Sequence, residues 1–422
     1  VIDRRVGSRI VRVALVLLVA ACAHASTGGL ALNGPEPSTY LSARRLAVLS
    51  ASERGAWRSY LARSDSLLRL DRGVIAAELR SLGRARMARA PYARESFTLH
   101  GHMRGAWFRS DSARRLAANI LSFQTPSGGW SKHVAFDSGA RAAAMSFFSE
   151  NERWSYIATI DNNSTTEQMR FLAEAFESTG DQRYRQSLGR GFEYLLAAQY
   201  PNGCWPQVYP LAGGYHDAAT FNDDATVNVL KVIRDVAQRE DRMPGFAAEQ
   251  RAGAAAALDR GVECILATQV VVGGRRTVWG QQHDPLTLVP VRARRYEPPA
   301  LAGRESAGIT AFLMDLRRPG AGVIQAGHAA VDWLRSNAKY GVEYTADGVA
   351  ERAGAGPVWA RMTEIGTNRP IFSNRDGAVL YDHRLLTDRA TGYAWFTTEP
   401  AGVLVDYEDW SKRYPHPRGG QE

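Results

Sequence analysis

The chain has 422 residues, 45% hydrophobic and 23% charged, which is the balance of a globular protein with a sizeable core and excludes disorder, collagen and a disulfide-stapled miniprotein. Its formal charge is +9, which taken alone points to a polyanion: nucleic acid, an anionic membrane or an acidic polymer. The excess is local, because residues 1–120 hold 20 arginines and 8 acidic residues, a net +12, which leaves the remainder slightly acidic at −3.

The first twelve residues, VIDRRVGSRIVR, carry four arginines and precede the short apolar run VALVLLVAAC. That run is too short for a permanent membrane helix, and the pattern is that of a secretory signal. Its end, Val19-Ala20-Ala21-Cys22, resembles the lipobox of bacterial lipoproteins, in which the cysteine is lipidated. Ordinary signal cleavage near Ala23–Ala25 is the alternative. Either way the expectation is an exported protein, periplasmic or at the cell surface, with residues 1–22 as the signal. Residues 23–38 (AHASTGGLALNGPEPS) read as a linker suited to a tether. Residues 39–104 read as an N-terminal helical segment, with Leu41, Leu46, Leu49, Trp57, Leu61, Leu67 and Leu68 at helix-like spacing.

From residue 105 the pattern predicts helices at 112–123, 165–179, 184–199, 224–238, 249–269, 305–316 and 325–338, with few strand runs. The helix at 165–179 opens on Ser164-Thr165-Thr166-Glu167, a capping-box pattern, and stops at Gly180. Three helices end in related turns: QTPSGGW (124–130), QYPNGCW (199–205) and QVVVGGRRTVW (269–279). Trp130, Trp205 and Trp279 are 75 and 74 residues apart, and Trp359 follows 80 later. Such a period accommodates two or three helices plus a long loop, and stacking the units buries their apolar faces. The expected fold is therefore all-α: an (α/α) toroid of repeated helical hairpins, with long loops lining a cleft on one rim. Cys204 and Cys264 form a disulfide or stay as buried thiols; sequence spacing decides neither.

Two acidic segments, ATIDNNSTTEQ and ATFNDDATVNVL, open helices at corresponding turns of the repeat. At an offset of 62, Asp161 falls on Asp223 and Asn162 on Asp224. Helix N-capping explains any one of these residues. Two matching clusters point to a site, either hard oxygen ligands for Ca²⁺ or the acid and base of a glycosidase. Arginines gather in VPVRARRYEPPALAGRES (289–306) and PVWARMTEIGTNRPIFSNRDG (357–377), where guanidinium groups suit carboxylate clamps, though a solvated basic loop is the plainer explanation. Trp130 and Trp205 are either sugar-stacking platforms or core.

Eight ordered motifs over about residues 105–411 carry a resemblance: QTPSGGWSK, TIDNNSTTEQ, YPNGCWPQ, FNDDATVNVL, WGQQHD, ARRYEPPALAGRES, WARMTEIGTNRPIFSNRDG and YDH. Together they resemble the pectate lyases of polysaccharide lyase family 10, which sets the catalytic domain at 105–415. The resemblance implies Ca²⁺-assisted cleavage of polygalacturonate by β-elimination, giving 4,5-unsaturated oligogalacturonides. It assigns Asp161 and Asp223 to the metal, Arg294 to the base, and Lys132, Asn162, Arg361, Arg375 and Trp130 to substrate. Arg295 adjoins Arg294, which leaves the base open between the two. Cys204 replaces a turn glycine of the family pattern, and His133 stands where an asparagine is expected. Neighbouring cations and desolvation are expected to push Arg294 towards neutrality and to give an alkaline optimum. A monomer acting on an acidic polysaccharide follows, with a lipid anchor at Cys22. The rival readings are a glycoside hydrolase on the same toroid and a non-catalytic glycan-binding lipoprotein. No zinc-finger or basic-helix pattern supports nucleic-acid binding.

Overall fold

A computed structural model describes residues 29–148, 156–345, 348–390 and 392–416. The signal, Cys22 and the start of the linker lie outside the described residues. The helices are α1 (Ala43–Leu46), α2 (Ala51–Ser81), α3 (Asp111–Ser122), α4 (Thr166–Thr179), α5 (Gln182–Ala198), α6 (Ala225–Gln238), α7 (Ala248–Thr268), α8 (Gly303–Met314), α9 (Ala321–Ser336) and α10 (Pro400–Arg413). The helices α4, α6, α8 and α10 touch in series as an inner row, and α5, α7 and α9 each back one of the first three. Ten of the fourteen residues of α6 are buried, as the centre of an inner row requires. The architecture is the expected all-α toroid of helical hairpins.

The helix α4 ends at left-handed Gly180 as expected. Its capping box does not form, because Glu167 accepts the backbone N–H of Leu99 instead (2.9 Å).

The four repeat tryptophans share one contact. Each indole N–H donates to the carbonyl of a preceding helix: Trp130 to Ile120, Trp205 to Leu195, Trp279 to Ile265 and Trp359 to Leu334, all at 2.7–2.8 Å. The turn glutamines repeat as well. The amides of Gln124, Gln199 and Gln269 each donate to a carbonyl of their own turn and to one in the next outer helix, at Ser187, Ala257 and Ala326. Gly203 is left-handed (φ +89°), and a Cβ there would lie 2.0 Å from the Arg260 carbonyl oxygen, so only glycine lets that turn approach α7. The next residue, Cys204, forms a disulfide with Cys264 of α7. The departure from the family's glycine is thus a covalent tie between neighbouring units, worth about 4 kcal/mol for its 60-residue separation.

Short antiparallel pairs stitch consecutive units along the rim. Ala158–Thr159 pairs with Val208–Tyr209, Ala219–Thr220 with Gln282–His283, and Leu301–Ala302 with Met362–Thr363. In each, the partner residues stand three and four positions after a repeat tryptophan. Tyr92 bridges Val134, four residues after Trp130, so the N-terminal segment adds a rung to the same ladder.

The N-terminal segment is an integral part of the body. Residues 29–38 are not a loose tether: Leu30 is fully buried and exchanges backbone hydrogen bonds with Met87, and Glu36 donates to the Ala212 carbonyl. Burying Leu30 favours packing over a free linker. Trp57 and Tyr60 of α2 pack on Tyr200, and the Tyr60 hydroxyl donates to the Ala198 carbonyl at the end of α5. Further along α2, the fully buried Asp71 accepts both the backbone N–H and the hydroxyl of Ser127 (2.7 Å each).

Burial pushes the Asp71 carboxyl up to about 7 against those two hydrogen bonds. The folded state then holds its proton more tightly than the unfolded chain, so stability falls as pH rises from about 4 to 7. We expect Asp71→Asn to gain at least about 1 kcal/mol over wild type on going from pH 5 to pH 8 in urea unfolding. An unchanged difference between the two pH values would show that Asp71 is ionised throughout.

Candidate active site

The rim loops enclose a cavity of about 290 Å³ lined by Lys132, His133, Asp161, Asn162, Asn222, Asp223, Tyr215, His216, Arg294 and Glu297, among others. Two equivalent turns position its acidic wall. Thr159 and Thr220 donate their N–H groups to the carbonyls of Trp130 and Trp205. Six residues later, the hydroxyls of Thr165 and Thr226 return to the carbonyls of Thr159 and Thr220. The structural offset is therefore 61, not 62: Asp161 corresponds to Asn222, and Asn162 to Asp223. The backbone agrees, since Asn162 and Asp223 are both left-handed (φ 49° and 50°), where Asn and Asp are the best-tolerated side chains. None of the helix starts at these turns has a side-chain cap bond, so the capping explanation fails and these side chains turn to one another and to the cavity.

In the third unit Ala302 takes the place of Thr159, and Ser306 that of Thr165, its hydroxyl bonding to Trp279. Only three residues lie between them, against five in each of the first two units, so the acidic turn is absent. Arg304 and Glu305 occupy the shortened connection.

The charges are already paired. Lys132 Nζ donates to Asp161 Oδ2 (2.7 Å) and Asn162 Oδ1 (3.3 Å), while Asp161 Oδ1 is buried without a hydrogen-bond partner. Asp223 Oδ1 accepts from Arg304 (2.9 Å) and Arg361 (3.3 Å), and Arg361 also donates to the fully buried Glu305 (3.0 Å). Asp224, held beside Arg304, has its carboxyl pushed up to about 6 by burial. Elsewhere in the lining, Arg294 Nε donates to Glu297 Oε2 (2.8 Å), its Nη2 donates to Oε1, and Tyr393 donates to the same Oε1 (3.1 Å). Burial lowers the Arg294 pKa, but the bonds to Glu297 outweigh it and raise it above the ordinary arginine value. The expected drift of Arg294 towards neutrality is thus reversed in the free protein, because a buried carboxylate sits where a cation was anticipated.

Lys132, Asp161, Asn162, Asp223 and Arg294 all face one cavity, and Arg361 stands directly behind Asp223. Arg294 lines the cavity and Arg295 does not, although both are exposed. Trp130 is fully buried with its indole bonded to Ile120, so its assignment to substrate is corrected: it is core. Arg375 is exposed on a separate loop and lines no part of the cavity, although nearby Gly377 lies against Arg292 and Arg295. Glu297, Glu305 and Tyr393 were missed. Glu297 stands three residues after Arg294, a spacing that signals an ion pair, whereas Glu305 and Tyr393 reach the site through tertiary packing.

His216 lines the cavity with its pKa pushed down to about 3 by burial, reinforced by the charges of Lys132 and Arg294. Its ring is therefore neutral across the physiological range. We expect its NMR signals to show no titration between pH 5 and 8; a midpoint near 6.5 would contradict this environment.

The family model for pectic acid lyases matches residues 124–404. No curated protein sequence matches the chain. Among solved structures, a point mutant of a family 10 polysaccharide lyase from Cellvibrio cellulosa, in complex with trigalacturonic acid, is similar with a TM-score of 0.65. It is 31% identical and covers 76% of this chain and 100% of its own. A family 10 polysaccharide lyase structure from the same organism gives 0.64 at 32% identity, covering 75% of this chain and 98% of its own. The acidic turns, the arginine loop and the helical toroid thus occur together in a chain that belongs to the pectic acid lyase family and is a polysaccharide lyase.

Proposed function

We propose that the protein is a pectate lyase that cleaves polygalacturonate by β-elimination, with Arg294 as the base. The observation that carries this reading is one cavity lined by Lys132, Asp161 and Asp223 together with a carboxylate-anchored arginine, Arg294. A uronate carries its carboxylate on C5. Removing the C5 proton puts further negative charge on that carboxylate, so the barrier is largely electrostatic. The C5–H electrons form the C4–C5 double bond, the C4–O4 bond breaks, and O4 leaves and takes up a proton. On this reading Lys132 is the lining cation that meets the growing charge, with Arg361 backing it from behind Asp223.

Arg294 has Nε and Nη2 committed to Glu297, which fixes the plane of the guanidinium and leaves Nη1 for the reacting proton. Base action needs the neutral form, which Glu297 makes scarcer. A base this strong suits a weakly acidic carbon proton, since driving force compensates for a small population.

Ca²⁺ fits as a shared rather than a closed site. Asp161 Oδ1 is a buried oxygen without a partner, and Asn162 and Asp223 add oxygens of the kind the ion takes. Among the described residues no three His, Cys, Asp or Glu side chains gather into a metal cluster, so Asp161, Asn162 and Asp223 would hold the ion only in part. When bound, the ion supplies positive charge beside the substrate carboxylate.

We also read the protein as exported and tethered through Cys22. The Cys204–Cys264 disulfide supports an oxidising compartment.

Incubation with polygalacturonate is expected to give the ultraviolet absorbance of a 4,5-unsaturated uronate, lost with a chelator and restored by Ca²⁺. Cleavage without that chromophore would favour a hydrolase, and binding without cleavage a glycan-binding protein. Arg294→Ala should lower kcat at least about 10³-fold. With the wild type, kcat should rise with pH through 7 to 9; a flat profile would make Arg294 a charged clamp rather than the base.

A further inference from the structure

We infer that Tyr92 and His133 form an additional saccharide subsite at the open end of the cleft, taking one more anionic sugar of a uronate polymer. The inference rests on the lyase reading of the cavity.

The first support is the ladder. Tyr92 stands opposite Val134 as Ala158 stands opposite Tyr209, Ala219 opposite His283 and Leu301 opposite Thr363. Those three counterparts are buried to within 1%, enclosed by neighbouring units, whereas Tyr92 is 56% exposed. The N-terminal segment therefore adds a unit to the row and leaves an aromatic ring uncovered at its end.

The second support is continuity. The Tyr92 ring lies 5.9 Å from that of His133 at 32°, and His133 lines the cavity. The backbones are fixed together, since Ala93 donates to the His133 carbonyl and Ala135 to that of Pro91. An aromatic surface thus runs out of the cavity in the direction of the ladder. Arg89 and Arg94 flank Tyr92 and are exposed, outnumbering Glu95. A ring face suits the C–H face of a sugar, and guanidinium groups suit its carboxylate.

The third support is that Tyr92 lies outside the family match and His133 departs from the residue expected at its turn. Residues 88–94 lie outside the family match at 124–404. His133 replaces the asparagine that the resemblance leads one to expect. Its backbone is left-handed (φ 56°), a conformation that favours Asn, Asp and His over other residues. The exchange therefore preserves the turn and converts an amide into a ring that faces Tyr92.

The test is calorimetric binding of polygalacturonate and of trigalacturonate to Arg294→Ala protein, with and without Tyr92→Ala, so that the readout does not depend on turnover. Tyr92→Ala is expected to weaken polymer binding about fivefold, the worth of one exposed stacking contact, and to narrow the polymer-to-trimer affinity ratio. His133→Asn, which keeps a residue suited to the left-handed turn, should narrow the ratio in the same direction and decides the matter if Tyr92→Ala loses its fold. An unchanged ratio in the folded variants overturns the subsite. Failure of wild-type protein to make an unsaturated product sinks the lyase reading separately.

Discussion

One hydrogen bond sets the frame of this molecule: the buried indole N–H of each repeat tryptophan to the carbonyl of a preceding helix. It pins the point at which the chain leaves the helical layer and enters the rim. Three residues later the chain pairs with the strand that leads into an inner helix of the preceding unit. The turns that carry Asp161 and Asp223 hang from those strands, so the site inherits its geometry from a contact deep in the core. A tryptophan suits this task because its large ring fills the space between helices and its single donor specifies one partner. The glutamine at the start of each turn adds a second fixed point by bridging to the next outer helix.

The repeat was legible from the tryptophan spacing and the glycine-bearing turns that open on glutamine, because both express local geometry. Helix positions followed from apolar periodicity and came within a few residues at each end. The site was legible in part. Asp161, Asp223, Lys132 and Arg294 sit in motifs whose polar residues have no structural task that a neutral residue could not perform. The register of the two acidic turns came out one position wrong, because Asp and Asn alternate there and only the flanking threonines reveal the true equivalence. Trp130 was drawn towards the substrate, although the repetition of Trp205, Trp279 and Trp359 already marked it as framework. Glu305 and Tyr393 could not be read from sequence at all, since their partners are brought in by long-range packing. The basic N-terminal segment looked like an appendage. Its apolar stripe from Trp57 to Leu79 marks a helix that packs on something, but a stripe does not name its partner.

The cleft is not a simple basic trough awaiting a polyanion. Lys132 is bonded to Asp161, Arg361 and Arg304 to Asp223, and Arg294 to Glu297. On the proposed reading, an incoming uronate exchanges partners rather than meeting free cations. Such pairing holds long side chains in place before binding and limits the entropy lost on association. On that reading, an acidic chain is recognised by reorganised pairs within the cleft, and the basic excess of the body lies in its N-terminal segment.

A row of identical units would hold a polymer of identical sugars in many registers. The third unit breaks that equivalence, because the two residues missing between Ala302 and Ser306 delete its acidic turn and put Arg304 and Glu305 in its place. The cleft consequently has distinguishable ends, with carboxylates and amides contributed by two neighbouring units and guanidinium groups by the next. A polysaccharide has a reducing and a non-reducing end, and the β-elimination proposed above acts at one defined linkage between them. A difference of two residues is enough to single out one position along a periodic surface.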